Sequence, residues 1–333
     1  MKAVNDDQFA ASRERRIPPT VEPSPGVVAI PVEIGYRSPV PFTYCYAVIG
    51  GSRAVVIDPG HDTPGNLERI LGELEERGVV AIEGILLTHL HSDHVALAAT
   101  LQDAVDAPVM INAADRDAVP ALAQGRGDPT DRLRGWGVPH DAIEAILTVN
   151  RDQAAVLPPR VARWLVDGDR IDVGTRSLEV IATPGHQPGH LCFRDAAAGL
   201  LFAGDHLLPT VFPGLQGLGT GADNALVRML ESLERVRAFA DDIVLPGHGY
   251  AYTGVVERAD AMERRYLDRA AEMAGVLRDR PGATIWEVAT SVKWSGGAID
   301  RLRGTYTFYA AIEQTMIHVD RLRMLAETSP ARA

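Results

Sequence analysis

Three histidines and an aspartate fall within six residues of the segment LLTHLHSDH, Leu86 to His94. His89 and His91 are two apart, so on an extended strand end they project to one side. Imidazole nitrogen is a common zinc ligand, and two ligands from one rigid segment lower the cost of ordering a site. Asp93 and His94 follow where a tight turn into a helix would aim them at a neighbouring ion. One ion does not comfortably take four ligands from six contiguous residues, whereas two ions about 3.5–4 Å apart can. The competing reading of this stretch alone is a polar loop with chance histidines.

The same grammar recurs. IATPGHQPGH places His186 after a strand and a Pro-Gly turn, LLFAGDH places Asp205 after a strand and a glycine, and IVLPGHG places His248 after another Pro-Gly turn. AVVIDPG sets Asp58 in a similar place. In each, an apolar run ends, a small residue turns the chain or stands beside the turn, and a metal-competent side chain appears. Repetition at several strand ends argues against chance.

The elements that must position these residues are readable in outline. Residues 1–24 read as a polar, proline-containing N-terminal extension. VVAIPVEIG, FTYCYAVIG and RAVVID carry β-branched and aromatic residues with Gly and Pro punctuation, as an antiparallel meander does. Residues 64–77 space Leu67, Ile70, Leu71 and Leu74 as a helix, and Gly78 ends it. Strand, helix and strand then alternate to residue 112, as in an α/β layer fold. Residues 119–160 are rich in Gly, Pro, Arg and Asp; they read as an irregular insertion with a short helix near 140–147, a candidate lid or binding loop. The insertion contains Arg126-Gly127-Asp128, whose adhesion reading has no sign of secretion behind it. Strands resume from 163, a helix follows near 223–239, and one more strand precedes His248. Beyond Tyr250 the pattern turns helical: 255–279 is one amphipathic helix, Thr284 and Glu287 have capping-box spacing, and 305–328 is a third helix.

The bulk numbers narrow the partners. The 333-residue chain has a formal charge of -11, which repels phosphate backbones and makes nucleic acid a poor default partner. Arg264, Arg265, Arg301 and Arg303 of the tail are interleaved with Asp and Glu, a solvated helical surface rather than an RNA-binding face. Cys45 and Cys192 sit in apolar strand-like runs and read as reduced core residues. The N-terminus lacks a signal-peptide core, and no apolar stretch is long enough to span a bilayer, so the expectations are the cytoplasm and no membrane partner.

The segments THLHSDH, TPGHQPGH, FAGD and LPGHG, in that order, resemble the metallo-β-lactamase superfamily over roughly residues 26–250. The resemblance implies an α/β fold, a four-layer αββα sandwich with a dinuclear site at one edge. It implies His89, His91 and His186 around one metal, Asp93, His94 and His248 around the other, and Asp205 bridging both. It places Asp58 and His190 outside the ligand set, Asp58 orienting a ligand imidazole. The implied organisation is an extension at 1–24, a catalytic domain at 25–250 and a C-terminal helical domain at 251–333. The tail is similar to the winged-helix-like domain of some lactamase-like hydrolases, an endoribonuclease group among them, and the whole resembles a glyoxalase-II-like hydrolase group.

The chemistry expected of such a centre is hydrolysis. Zinc lowers the pKa of bound water from about 15.7 to about 7, so two divalent ions, zinc first with iron or manganese as alternatives, would present a hydroxide to an ester or thioester carbonyl. An acyl-CoA or a glutathione thioester is the small-molecule substrate expected. Antibiotic-cleaving members typically carry Cys or Ser where Asp205 stands, and a thiol with a pKa near ~8.5 leaves without a proton donor. A lactonase or β-lactamase-like amide hydrolase, an endoribonuclease and a non-catalytic binding protein on the same fold are the alternatives. The flavin-linked di-iron branch is opposed by the absence of Glu from Ser92-Asp93-His94. Asp93, Asp205 and Tyr250 are the catalytic candidates, Tyr250 as a hydrogen-bond donor to an oxyanion or else as packing. His206 is expected to line the pocket, with Arg132, Arg134 and Trp136 on an anionic substrate. His61 belongs near the Asp58 loop; Tyr44 and Tyr46 belong in the core; His140 and His318 are surface or packing residues. The apolar tail offers a face for a homodimer.

Overall fold

The computed structural model describes residues 1–35, 40–124, 128–151, 156–217, 221–294 and 297–328. The chain opens with β1 (Lys2–Ala3), α1 (Asp6–Glu14), β2 (Val21–Ser24), β3 (Val27–Glu33), β4 (Phe42–Gly50) and β5 (Arg53–Ile57). It continues with α2 (Asn66–Glu76), β6 (Ala81–Leu86), α3 (Ser92–Val95), α4 (Ala98–Val105) and β7 (Val109–Asn112). Three helices follow, α5 (Ala118–Ala121), α6 (Thr130–Gly135) and α7 (His140–Arg151). Then come β8 (Val161–Leu165), β9 (Arg170–Val173), β10 (Arg176–Ala182), β11 (Leu191–Asp195) and β12 (Leu200–Gly204). The chain ends with α8 (Ala225–Val236), β13 (Ile243–Pro246), β14 (Tyr252–Thr253), α9 (Val255–Asp279), α10 (Ile285–Ser291) and α11 (Tyr306–Thr328).

Two seven-stranded sheets result, β2-β3-β4-β5-β6-β7-β8 and β1-β14-β13-β12-β11-β10-β9. Alternation along the strands sets the layers, because successive side chains point to opposite faces. On β3 and β4, Val27, Ala29, Tyr44, Tyr46 and Val48 face the second sheet and pack with Leu178, Phe193 and Phe202. Val28, Ile30, Cys45 and Ala47 point the other way, onto Ile70 and Leu74 of α2 and Leu101 of α4. The outer face of the second sheet is covered by Met229 and Leu233 of α8 and by Ala259 and Met262 of α9. This is the expected αββα sandwich with a helical tail. The meander β3-β4-β5 is antiparallel, and both cysteines are buried and free. The tail's helices match the sequence pattern, including the Thr284–Glu287 capping box; beyond β14, its one isolated β-bridge among the described residues is Trp294–Gly297.

Two readings need correction. Residues 1–24 are not an extension. β1 pairs with β14, β2 pairs with β3, and the fully buried Gln8 accepts a hydrogen bond from Ala251 N through Oε1 (3.1 Å). Backbone pairing and one buried amide hold a segment whose composition looks like a linker. The 119–160 insertion is largely helical, not irregular. Leu133, Val138, Ile143 and Ile146 of α6, α7 and their linker form one apolar cluster with Val288, Phe308 and Ile312 of the tail. Arg126 and Gly127 lie outside the described residues.

Candidate metal centre and substrate cavity

Both sheets deliver their chemistry at one edge. The first supplies Asp58 after β5 and residues 88–94 after β6; the second supplies His186 and His190 between β10 and β11, Asp205 after β12 and His248 after β13. Asp58 adopts a left-handed backbone (φ 51°), rare for a non-glycine residue, which turns its carboxylate back under the His89–His94 segment.

Seven side chains converge in two groups. His91 Nδ1 lies 3.0 Å from both His89 Nε2 and His186 Nε2, and His186 Nε2 lies 3.6 Å from Asp205 Oδ2. On the other side, His248 Nε2 is 3.3 Å from Asp93 Oδ2 and 3.4 Å from Asp205 Oδ1, and His94 Nε2 is 3.4 Å from Asp205 Oδ1. The two oxygens of Asp205 therefore face different groups.

The outer nitrogen of each imidazole fixes its tautomer. His248 Nδ1 donates to Phe42 O (2.7 Å), His186 Nδ1 to Gly214 O (2.7 Å), His94 Nδ1 to Asp58 Oδ2 (2.8 Å) and His91 Nε2 to Gln216 Oε1 (3.0 Å). Thr88 gives its hydroxyl proton to Asp58 Oδ2 (2.6 Å), so its oxygen accepts from His89 Nδ1 (2.9 Å). The inner nitrogens of His94 and His248 face the carboxylates of Asp205 and Asp93, while those of the neutral His89, His91 and His186 are lone pairs crowded against one another. Such an arrangement repels itself unless a cation sits between them, and outward anchoring is how metal-ligating histidines are held. His94 Nε2 and Asp205 Oδ1 are buried without a hydrogen-bond partner among the described residues, which fits an ion as the missing one. The cluster fits a dinuclear metal centre.

Electrostatics agree. Burial works against ionising Asp93 and Asp205, yet His248 and His94, which despite burial the neighbouring carboxylates hold above the ordinary imidazole value, keep both carboxyls below the usual range, so this half of the cluster is built to hold positive charge. Burial, reinforced by His186, lowers His91 to about 3 and keeps it a neutral ligand.

His190 has both nitrogens engaged, with Thr183 Oγ1 (2.8 Å) and Asp205 N–H (3.2 Å), so it pins the backbone of Asp205. Tyr250 is a correction. Its ring packs edge-on against Phe9 of α1, with centroids 5.1 Å apart, and it does not line the cavity. His206 is fully buried and also absent from the cavity wall. Arg132 does not reach the cavity either: it donates to Tyr309 Oη and stacks on Trp136, while Arg134 is an exposed partner of Asp131. Tyr44 and Tyr46 are core residues whose hydroxyls donate to Gly249 O and Pro246 O. His61 meets Thr63 in the Asp58 loop, and His140 is exposed. His318 is not a surface residue; it is fully buried and lines the cavity.

The cavity encloses about 990 Å³ over the centre. His91, Asp93, His186, Asp205 and His248 contribute to its lining. Much of its wall is apolar, including Leu90 and Leu122 from one side and Leu208, Phe212 and Trp294 from the other. The tail is wired to the centre through Gln216, whose Nε2 donates to Tyr306 Oη (2.8 Å) of α11, and Tyr266 of α9 donates to Pro213 O (2.8 Å), beside the carbonyl that anchors His186. Thr88 and Gln216 are not legible as site residues from sequence; neither type is distinctive of a metal site.

Asp115 lies in the cavity wall, with Oδ2 buried and without a hydrogen-bond partner among the described residues. Burial raises its carboxyl from 3.8 to about 6. Between those values the folded chain holds a proton that the unfolded chain has released, so this group's contribution to stability falls as pH rises through the window. Asp115→Asn is expected to stabilise the protein at pH 8 by up to about 3 kcal/mol. The gain should shrink to near zero by pH 4 in chemical denaturation; an equal gain at both pH values would rule out a buried, ionising carboxyl.

The family model of the metallo-beta-lactamase superfamily matches residues 39–248. The chain belongs to this superfamily. Membership places it among metal-dependent hydrolases. An uncharacterized protein of Mycobacterium leprae is 33% identical over 218 residues, 64% of this chain and 89% of that one. A hydroxyacylglutathione hydrolase of Pseudomonas savastanoi pv. phaseolicola is 30% identical over 235 residues, 70% of each chain; one of Hydrogenovibrio crunogenus is 30% identical over 224 residues, 66% of this chain and 63% of that one. A metallo-beta-lactamase family protein from Thermus thermophilus shares the fold with a TM-score of 0.73 at 24% identity, covering 91% of this chain and 95% of that one. At that identity the structural likeness concerns the superfamily fold alone.

Proposed function

We propose that this superfamily member is a dinuclear hydrolase that cleaves a thioester or ester of a small molecule. The observation that carries the reading is the pair of ligand groups sharing Asp205, with every ligand imidazole anchored from outside, on the floor of a largely apolar cavity. His89, His91 and His186 would hold one ion, Asp93, His94 and His248 the other, and Asp205 both. A set of five imidazoles and two carboxylates suits zinc first, with iron and manganese as alternatives. When bound, two such ions supply Lewis acidity and make water a competent nucleophile near neutral pH. The chain's own residues do the rest. Asp58 and Thr88 fix the tautomers of His94 and His89, Gln216 and Gly214 fix those of His91 and His186, and His190 sets the position of Asp205. The apolar wall excludes bulk water and accommodates the carbon skeleton of the substrate. A thiolate leaves without a proton donor, which favours thioesters over amides, and the hydroxyacylglutathione hydrolases among the relatives support the same bond type.

The test is one panel run with and without chelator on purified protein: acyl-CoA, hydroxyacylglutathione, lactone, cephalosporin and RNA. Thioester or ester cleavage is expected, lost on chelation and restored by zinc. Cleavage confined to cephalosporin or RNA, or activity indifferent to chelation, would overturn the reading.

A further inference from the structure

The charged residues of the cavity wall are unevenly divided. Its carboxylates, Asp93, Asp115 and Asp205, come from the sandwich, and its two guanidiniums, Arg265 and Arg269, come from α9. Beside them, α11 presents Tyr306, Ala310, Gln314 and His318 to the cavity at intervals of four, one stripe spanning about 18 Å of helix. Tyr306 stands at the metal-centre end through Gln216. His318 stands with the arginines, whose charges, added to its burial, lower it to about 4.

The two arginines differ. Arg269 is engaged, donating to Glu272 Oε2 and Lys293 O (2.6 Å each) and lying over the Trp294 ring. Arg265 is half-buried and has no ion-pair or hydrogen-bond partner among the described residues. His318 is fully buried, and both of its ring nitrogens lack partners. A buried donor left unmatched is costly, so a fully enclosed imidazole with neither nitrogen engaged, facing a cavity beside an unpaired guanidinium, needs a ligand to complete it.

We propose that Arg265 and His318, with Gln314 on the same stripe, form an anion-recognising subsite inside the substrate cavity. The substrate class it selects is an amphiphile: a reacting ester or thioester carbonyl, an apolar stretch against the cavity wall, and a carboxylate or phosphate on Arg265. This rests on the hydrolase reading for the reacting bond but not for the anion. Guanidinium pairs bidentately with either anion, and neutral His318 adds an N–H donor without a second positive charge to desolvate.

Two measurements separate the claims. Calorimetric titration of the purified, zinc-loaded protein uses octanoate, octyl phosphate and octanol as probes. The better of the two anions is expected to bind at least about tenfold tighter than octanol, the scale of one charged hydrogen bond, and Arg265→Gln should erase that margin. The identity of the better probe tells carboxylate from phosphate. Arg264→Gln, an exposed neighbour, should keep the margin, and His318→Gln supplies a second test should Arg265→Gln unfold. In hydrolysis, thioesters of one chain length ending in methyl or in carboxylate should show a preference ratio that Arg265→Gln brings to about one. An anion margin unchanged in Arg265→Gln would mean that the metal centre alone holds the anion, and would overturn the subsite, as would no preference for anions at all. Loss of the margin in a protein that cuts no thioester would leave the subsite standing and defeat the hydrolase reading.

Discussion

Asp205→Asn is expected to lower turnover of the substrate identified in the panel by two to four orders of magnitude while leaving the fold intact. Asp205 presents Oδ1 3.4 Å from His94 and from His248, and Oδ2 3.6 Å from His186. Asparagine keeps one oxygen but turns an NH₂ toward the other ligand group, where nothing can be coordinated by it. Removing one partner from a buried charged pair costs about 3–5 kcal/mol, and each decade of rate is about 1.36 kcal/mol. The backbone N–H of residue 205 still reaches His190 Nε2, which keeps the loop in place. Elemental analysis should find one ion per chain where the parent holds two. Turnover within a few-fold of the parent, with two ions retained, would show that Asp205 does not bridge.

The second large effect belongs to a residue outside the ligand set. Asp58 accepts from Thr88 N (2.8 Å), from the Thr88 hydroxyl (2.6 Å) and from His94 Nδ1 (2.8 Å). Through Thr88 it also governs His89, so one carboxylate orients an imidazole on each side of the proposed centre. Loss of such a partner costs roughly ten- to a hundredfold in metal affinity or activity, and Asp58→Ala should reach at least the upper figure because two ligands depend on it. Asp58→Asn makes the comparison decisive. It preserves shape but, whichever way its amide turns, sets an NH₂ against at least one donor, the Thr88 N–H or else the Thr88 hydroxyl and His94 Nδ1, so it should be nearly as damaging as alanine in a competitive zinc titration. Full zinc affinity in Asp58→Asn would reduce Asp58 to a space-filling role.

Why are the proposed ligands legible and their supports not? Metal chemistry restricts which side chains can coordinate, so His89, His91, Asp93, His94, His186, Asp205 and His248 stand out after apolar runs and small turn residues. The groups that anchor them are less restricted. Gly214 and Phe42 act through backbone carbonyls that any residue carries, and Gln216 is ordinary until folding brings it beside His91. Tyr250 misleads because nearness to His248 in sequence says nothing of direction; the chain turns into β14 and sends the ring to Phe9. The N-terminal residues mislead because a two-residue strand is held by backbone bonds that leave no hydrophobic signature. In the insertion, the Gly- and Pro-rich run before residue 140 draws attention from the apolar face of α7, which packs Ala142, Ile143 and Ile146 under the tail. His318 reads as a lone histidine, although its four-residue spacing from Gln314 and Ala310 marks one face of α11.

The sheets explain why so few residues suffice. Neighbouring strands end at the same edge, so loops that are distant in sequence arrive together on a packed base formed by Tyr44, Tyr46, Phe193 and Phe202. A site on such a base needs little reorganisation when ligands bind.

Crystals of the zinc-loaded protein, measured on either side of the zinc absorption edge, test the central claim most directly. Two anomalous peaks about 3.5–4 Å apart are predicted, one among His89, His91 and His186 and one among Asp93, His94 and His248, with a carboxylate oxygen of Asp205 toward each. A single peak, or peaks elsewhere with these seven side chains unliganded, would contradict it.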